Sequence, residues 1–213
     1  MKLFSTLTLT AAAVLVVPAV QAQNLLANPD FEAVVLDPLT DTAGAPGWTD
    51  FNGTAFTRHE SPRSPNNAFK VFGGGGAFQD FAATPGTEYT GSVYGLNPSF
   101  DPLTGGAIAA VNIEFRDAGG NLLGDVLSNP FLDANSASGN SEGGTAPEVY
   151  QLATVSGTAP TNTTSVRFAL FSGGGGGAAY FDDASFGVVP EPASLALLGA
   201  GGLALIGRRR RIG

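Results

Sequence analysis

The sequence predicts an all-β fold, an antiparallel β-sandwich with many loops. Apolar side chains recur at every second position in several short segments, a period typical of strands that bury one face. The 213 residues include 30 Gly and 14 Pro, while only 13% are charged and 43% are hydrophobic. This composition is too rich in helix breakers for a helical protein and too apolar for a disordered chain.

The alternation justifies the individual strands. In Val111–Arg116 the odd positions are apolar and the even positions polar, and Tyr89–Tyr94 alternates in a similar way. In Val166–Leu170 the alternating apolar residues are Val166, Phe168 and Leu170, with Arg167 on the other side. Turn signals such as Pro85-Gly86 and Asn97-Pro98 separate the strands. About ten short strands with this spacing favour a sandwich. The remaining predicted strands are Phe31–Leu36, Trp48–Phe51, Ala55–His59, Ala68–Phe72, Ala77–Phe81, Leu122–Leu127, Val149–Val155 and Ala178–Gly187.

Charge, Cys and His content exclude several classes of function. The chain has 18 acidic and 10 basic residues, a net charge of -8, one His and no Cys. Such a chain is a poor nucleic-acid binder, because neutralising phosphates requires clustered Lys and Arg. The absence of Cys excludes disulfides, thiol nucleophiles and Cys-ligated zinc or iron–sulfur sites, and one His excludes a multi-histidine metal site within one chain.

The N-terminus has the features of a secretory signal peptide, predicted over residues 1–22. Lys2 provides a basic start, Leu3–Val17 is mostly apolar, and Val20-Gln21-Ala22 resembles a signal-peptidase site. We therefore expect cleavage after Ala22. The alternative is an uncleaved anchor, which the short, Thr-containing apolar stretch favours less.

The C-terminus, residues 190–213, combines three features in a fixed order: Pro190-Glu191-Pro192, the mostly apolar segment Ala193–Gly207, and Arg208-Arg209-Arg210-Arg211. As a short helix, the apolar segment would extend roughly 22 Å, less than the ~30 Å hydrocarbon core of a membrane. The arginines would remain on the cytoplasmic side.

Together these three parts resemble the PEP-CTERM sorting signal of Gram-negative bacteria. The resemblance implies recognition by an exosortase, a membrane transpeptidase-like protease, after transient insertion of the tail into the inner membrane. It also implies export by the secretion machinery to the cell surface or extracellular matrix. A simple C-terminal anchor is the alternative.

Residues 23–189 form the remaining β-sandwich domain, which is long enough for a two-layer core. It retains 17 acidic and five basic residues, a net charge of -12. The exported domain is therefore more acidic than the whole chain. This charge excludes nucleic acid more firmly and favours a divalent cation such as Ca²⁺ as an inorganic partner.

An ordered set of motifs runs through the domain. It opens with Asn24–Glu32 (NLLANPDFE), continues with Gly47-Trp48 and Pro85–Thr90 (PGTEYT), and closes with Tyr180–Phe186 (YFDDASF). This succession resembles the galactose-binding-like jelly roll, a family that includes many carbohydrate-binding modules. The resemblance implies a jelly-roll β-sandwich and binding of a glycan.

The same resemblance implies that the first and last strands lie close together, where several family members bind a structural Ca²⁺. Calcium takes about six to eight oxygen ligands, carboxylates among them. The chain therefore has a candidate structural Ca²⁺ site. Its candidate ligands, the first two foremost, are Glu32, Asp182, Asp30 and Asp183.

The position of Asp182 in its strand gives a separate reason to expect a partner. Alternation places Asp182 on the inward face of the last strand, with Ala184, Phe186 and Val188. A carboxylate at the edge of a core must be compensated. A cation, an Arg, or backbone N–H groups would each serve.

Aromatic side chains are the candidate sugar contacts, because aromatic faces pack on sugar CH groups. Trp48, Tyr94 and Tyr150 are the main candidates, and Phe100 is a further one. Trp48 follows Gly47 and could line a groove at a loop edge, although a core or rim-packing role is the stronger interpretation. Tyr94 and its neighbour Val93 point to opposite faces of the predicted strand, which indicates that Tyr94 faces solvent. Tyrosines that are buried in a core are equally common.

No catalytic residue is predicted. The match to G-x-S-x-G at Gly139–Gly143 lies in a loop-like context without the strand and helix that a nucleophile elbow requires. The glycine runs Gly73–Gly76 and Gly173–Gly177 lack the Lys and helix of a phosphate loop and are interpreted as hairpin loops.

These observations leave three hypotheses. The first is an exported, non-catalytic surface or matrix protein that binds exopolysaccharide or another glycan. The second is a structural or adhesive surface protein without a glycan site. The third is a polysaccharide hydrolase or lyase, which would need paired carboxylates in a long groove.

Overall fold

The computed structural model describes residues 23–34, 42–52, 55–58, 60–136, 138–139 and 150–190. Within these residues the chain forms strands and turns without an α-helix. The strands are β1 (Thr42–Ala43), β2 (Thr49–Phe51), β3 (Ala55–Arg58), β4 (Ala68–Phe72), β5 (Gly75–Ala82), β6 (Glu88–Pro98), β7 (Thr104–Arg116), β8 (Leu122–Leu127), β9 (Leu132–Asp133), β10 (Ser138–Gly139), β11 (Gln151–Thr158), β12 (Ser165–Gly176) and β13 (Ala178–Val188).

The strands form two sheets. Sheet I has the order β1-β3-β4-β13-β6, and β10 and β11 both pair with β6. Sheet II has the order β2-β5-β12-β7-β8, and β9 pairs with β7. All pairs within the described residues are antiparallel except β10 with β6. The all-β sandwich prediction is therefore confirmed.

The two sheets enclose one main hydrophobic core. Sheet I contributes Phe69, Phe181 and Phe186, while Phe168 and Phe115 come from sheet II. Phe168 stacks on Phe186 across the interface, with ring centroids 5.1 Å apart. The alternation of apolar residues in the sequence predicts that these side chains lie on the inner faces of the sheets. Their packing against one another holds the two sheets together.

A smaller apolar cluster lies on the other face of sheet I. It contains Ala68, Leu96, Tyr150 and Tyr180, with the half-buried Tyr94 packed against it. This face is polar and aromatic, and it holds the predicted site residues Tyr94, Tyr150 and Asp182.

Two sequence interpretations of local structure are wrong. Residues 31–34, the described part of the predicted strand Phe31–Leu36, form a turn in which Phe31 has a φ of 57°. Most glycines of the two runs lie in β5 and β12 rather than in loops; Gly73, Gly74 and Gly177 make the turns. Glycine has no Cβ and adopts strand and turn conformations alike. The strands β5 and β12 therefore include glycines that were predicted from the sequence to lie in loops.

Residues 22–189 constitute one compact unit. The predicted signal peptide at 1–22 and the predicted C-terminal helix lie outside the described residues, as do Glu191, Pro192 and the terminal arginines. None of the described segments is a helix with the length and hydrophobicity needed to cross a membrane.

Candidate functional site

The residues 60–67, here called the strap, are held against the domain by carboxylates from two sides. On one side, Glu32 Oε1 accepts hydrogen bonds from the backbone N–H groups of Asn66 and Asn67, both at 2.8 Å. Its Oε2 accepts from the side-chain amides of the same residues at 3.2 and 3.3 Å. Asp30 accepts from the N–H of Glu32 at 3.4 Å and so supports the same turn.

On the other side, the fully buried Asp182 binds the strap backbone. Its Oδ2 accepts from the N–H groups of Arg63 at 2.8 Å and Ser64 at 2.9 Å. Its Oδ1 accepts from the N–H of Asp183 at 2.7 Å. Burial raises the pKa of Asp182 to about 7 and the charge of Asp183 adds to the rise, while the N–H donors oppose it.

A β-bulge decides which way Asp182 points. Between Asp182 and Ser185 the pairing of β13 with β6 shifts, and Asp183 has a φ of 46°. Tyr180 belongs to the outer cluster and Phe181 to the core, so alternation places Asp182 on the outer side. The extra residue then returns Ala184 to the core.

The predicted inward face for Asp182, shared with Ala184 and Phe186, is therefore wrong. Val188 is also not inward, because 41% of it is exposed.

Asp183 forms an ion pair with Arg63 beside the bulge. Its Oδ1 also accepts a hydrogen bond from Ser64 Oγ at 2.8 Å. The Arg63 guanidinium carbon lies 3.6 Å from the centroid of the Tyr94 ring, a cation–π contact. The strap therefore covers a face of Tyr94.

Two tyrosine hydroxyls complete the attachment of the strap. Tyr150 Oη donates to the carbonyl oxygen of Ser61 at 2.6 Å, and Tyr180 Oη donates to Glu60 Oε2 at 2.6 Å. Burial raises the pKa of both hydroxyls above that of an ordinary tyrosine. Both groups therefore keep their protons and act as donors at neutral pH.

The sequence-predicted residues Glu32, Asp182, Asp183, Tyr94 and Tyr150 are thus brought together around the strap. Three carboxylate oxygens of Glu32 and Asp182 accept from backbone N–H groups, which direct positive hydrogen atoms to the sites where a cation would bind. Among the described residues no group of three or more His, Cys, Asp or Glu side chains could hold a metal ion. The geometry therefore fits the N–H alternative better than Ca²⁺, and calcium binding stays a prediction.

Trp48 lies apart from the strap, in the main core. It is 8% exposed and packs against Phe31 and Phe69, with ring centroids at 5.4 and 6.4 Å. Its Nε1 donates to the carbonyl oxygen of Asn28 at 3.1 Å. The buried ring has no open face for a sugar, in agreement with the core-packing interpretation.

Sequence reasoning missed Lys70 and Asp101, which border the outer cluster. Lys70 Nζ lies 2.8 Å from Asp101 Oδ2 and 5.5 Å from the Tyr180 ring centroid. Phe100, 39% exposed, meets Tyr180 edge-on with centroids 5.9 Å apart. Lys70 alternates with the apolar residues Phe69 and Val71, which indicates that it lies on the outer face of its strand. Its partners Phe100 and Asp101 belong to a distant loop, so the sequence did not indicate the contacts.

The residues of the apparent G-x-S-x-G match are described only at Gly139, in β10. His59 and residues 140–149 lie outside the described residues.

Comparison with known proteins gives one sequence match. Residues 188–211 match the PEP-CTERM protein-sorting motif, which confirms the interpretation of the C-terminal features. The matched segment begins at the last residue of β13. No curated protein sequence matches this chain.

Solved structures match the domain at low identity. A cyclase from Fischerella sp. TAU, solved with 4-(1H-indol-3-yl)butan-2-one, has a TM-score of 0.56 and 16% identity over 78% of this chain and 96% of its own. A family 16 carbohydrate-binding module has a TM-score of 0.52 and 18% identity over 78% of this chain and 100% of its own.

The CBM22-1 xylan-binding domain of Paenibacillus barcinonensis Xyn10C has a TM-score of 0.48 and 15% identity, over 73% of this chain and 96% of its own. At these identities a likeness shows the fold and not the activity. The chain thus joins a PEP-CTERM protein-sorting motif to a jelly-roll domain that has the fold of carbohydrate-binding modules.

Proposed function

We propose that this protein is an exported, non-catalytic component of the cell surface or extracellular matrix that binds polysaccharide. The observation that carries the proposal is the combination of a carbohydrate-binding-module fold and a PEP-CTERM motif in one chain. The motif follows β13 directly, so processing by an exosortase would release the jelly roll as the functional part.

The hydrogen bonding on the strap side supports a non-catalytic role. Glu60, Asp182 and Asp183 each accept hydrogen bonds from the strap or from a tyrosine hydroxyl next to it. General acid–base catalysis needs a carboxylate that is within reach of the substrate proton. Here these carboxylates position protein segments instead.

A structural or adhesive protein without a glycan site is the second candidate. The burial of Trp48 and Tyr150 favours it, because both were candidate sugar contacts and neither has an exposed ring. The two candidates differ in one measurable property, affinity for polysaccharide.

Affinity electrophoresis of the purified full-length protein tests the proposal. Native gels would contain xylan, β-galactan, β-glucan or an acidic exopolysaccharide, and heat-unfolded protein would serve as the control. We expect retardation of the folded protein in at least one neutral polysaccharide. Unchanged mobility in every gel would contradict polysaccharide binding and favour the structural candidate.

A further inference from the structure

A separate aromatic surface lies on the outer face of sheet II. Phe51 of β2, Phe78 of β5 and Phe171 of β12 alternate with core-facing residues and are each half-buried. The rings of Phe51 and Phe171 are parallel to within 2°, with centroids 6.5 Å apart. The Phe78 ring centroid is 6.4 Å from that of Phe51.

The two glycine runs make room for these rings. Gly76 lies between Phe51 and Phe171 in the sheet and pairs with both. A Cβ at Gly76 would overlap the tip of the Phe51 ring, and one at Gly173 would lie 2.9 Å from Phe171 Cζ. The runs thus provide bare strand backbone beneath the aromatic side chains.

The charged groups beside the rings neutralise one another. Arg167 donates to both carboxylate oxygens of Asp80, at 2.8 and 2.9 Å, and its guanidinium carbon lies 3.4 Å from the Phe78 centroid. Glu114 and Arg116 form a second ion pair on the adjacent strand. Arg167 covers a face of Phe78, which leaves Phe51 and Phe171 as the aligned pair.

We infer that Phe51 and Phe171 form a platform for an uncharged polysaccharide; this inference rests on the proposed function. The flat CH face of a pyranose ring packs on an aromatic face, and two parallel rings offer such contacts to neighbouring sugars. The two ion pairs beside the platform are each neutral, the exposed Asp125 adds one negative charge to the same face, and a domain of net charge -12 repels anionic polymers. The face therefore suits a neutral glycan, whose hydroxyls meet the Asp80–Arg167 pair.

The contrast with sheet I strengthens the assignment. On that sheet the strap covers Asp182 and Arg63 covers a face of Tyr94. On sheet II the rings of Phe51 and Phe171 are half-buried, and the side chain paired with Phe171 on β7 is the small, buried Ala110. A glycan chain could therefore approach the aligned rings of sheet II.

The experiment compares the full-length protein with Phe51→Ala, Phe171→Ala and the double variant in affinity gels of neutral and acidic polysaccharides. Leu152→Ala, which removes an exposed apolar side chain from β11 of sheet I, is the matched control. We expect each platform substitution to weaken binding to the neutral polymer by about tenfold and the control to bind as wild type does. Phe171→Tyr keeps a flat ring and should retain binding, and circular dichroism would verify that each variant is folded.

The outcomes separate the inference from the proposed function. A wild-type protein that binds polysaccharide while the folded double variant binds equally well would overturn the platform and leave the function standing. Preferential binding to the acidic polymer, or a loss of self-association instead of glycan binding in the double variant, would also overturn the inference. A wild-type protein that binds no polysaccharide would overturn the proposed function itself.

Discussion

Glu32 and Asp182 have similar hydrogen-bonding roles in different surroundings. Each carboxylate accepts two backbone N–H bonds from the strap, at 2.8 to 2.9 Å. Glu32 lies at a partly exposed turn, whereas Asp182 is fully buried, and burial raises the pKa of Asp182. Burial therefore distinguishes the two residues more than their partners do.

This difference predicts a pH dependence of stability that originates from Asp182. Its pKa is about 7 in the folded protein and about 4 when unfolded, so the folded state holds the proton more tightly. The contribution to the free energy of unfolding is complete below pH 4 and is lost as the pH rises to 7, on the order of 4 kcal/mol at most. Thermal unfolding of wild type and Asp182→Asn between pH 4 and 7 measures it. If the stability of the wild type and of Asp182→Asn changed equally between pH 4 and 7, the prediction would be contradicted.

At the level of elements, the strands show where glycine is required. Gly91 of β6 lies between Tyr89 and Val93 on the core-facing side, as alternation predicted. The position is glycine because the Phe168 ring of the opposite sheet occupies the space of a Cβ. β6 and β12 are therefore joined by a close backbone-to-ring contact.

Gly91→Ala should destabilise the protein by roughly 1–3 kcal/mol, the usual cost of overpacking a core. Gly124→Ala on β8 is the matched control, because its Cβ would meet Pro160 at an ordinary 3.6 Å. Urea unfolding followed by tryptophan fluorescence would report both. If the two variants had the same unfolding midpoint in urea, close contact with the Phe168 ring would not be the reason for glycine at position 91.

At the level of the whole molecule, the opening segment lies along the closing strand. The N–H of Leu25 donates to the carbonyl oxygen of Phe186 at 2.8 Å, and Asn24 Nδ2 donates to that of Ala184 at 3.0 Å. The jelly-roll resemblance implied this proximity for the first and last strands, whereas the segment that lies along β13 here is not itself a strand. The arrangement brings Glu32 and Asp182 to the strap from opposite ends of the domain.

Chelation tests whether this junction needs a cation. We expect the melting temperature to be the same with EDTA as without, because the N–H donors already compensate Glu32 and Asp182. Differential scanning calorimetry in EDTA, and then in excess Ca²⁺ or Mg²⁺, measures it. A lower melting temperature in EDTA that only Ca²⁺ restores would establish the calcium site.

Much of the fold could be predicted because strand alternation is a local property. Ala68–Phe72 and Leu122–Leu127 are strands with the predicted bounds. Phe31 was assigned to the start of a strand, but its side chain enters the core from a turn. Short apolar runs do not distinguish these cases, since burial depends on the rest of the chain.

The candidate site was only partly predictable. Glu32, Asp182 and Asp183 lie in one region, as the jelly-roll resemblance implied, whereas nothing in the sequence placed Tyr94 and Tyr150 beside them. Their partners come from the strap, a segment distant from these residues in the sequence. The aligned rings of Phe51 and Phe171 depend on pairing through Gly76, and no local pattern specifies which strands become neighbours.

The sequence by itself determined the β class, most strand positions, the acidic charge of the domain and the C-terminal sorting motif, because each follows from composition or from residues adjacent in the chain. Only the tertiary structure decided that Trp48 is buried, that a bulge turns Asp182 outward to the strap, and that the glycine runs lie beneath aromatic rings. These outcomes depend on contacts between residues far apart in sequence, where close packing and the compensation of a buried charge select one arrangement.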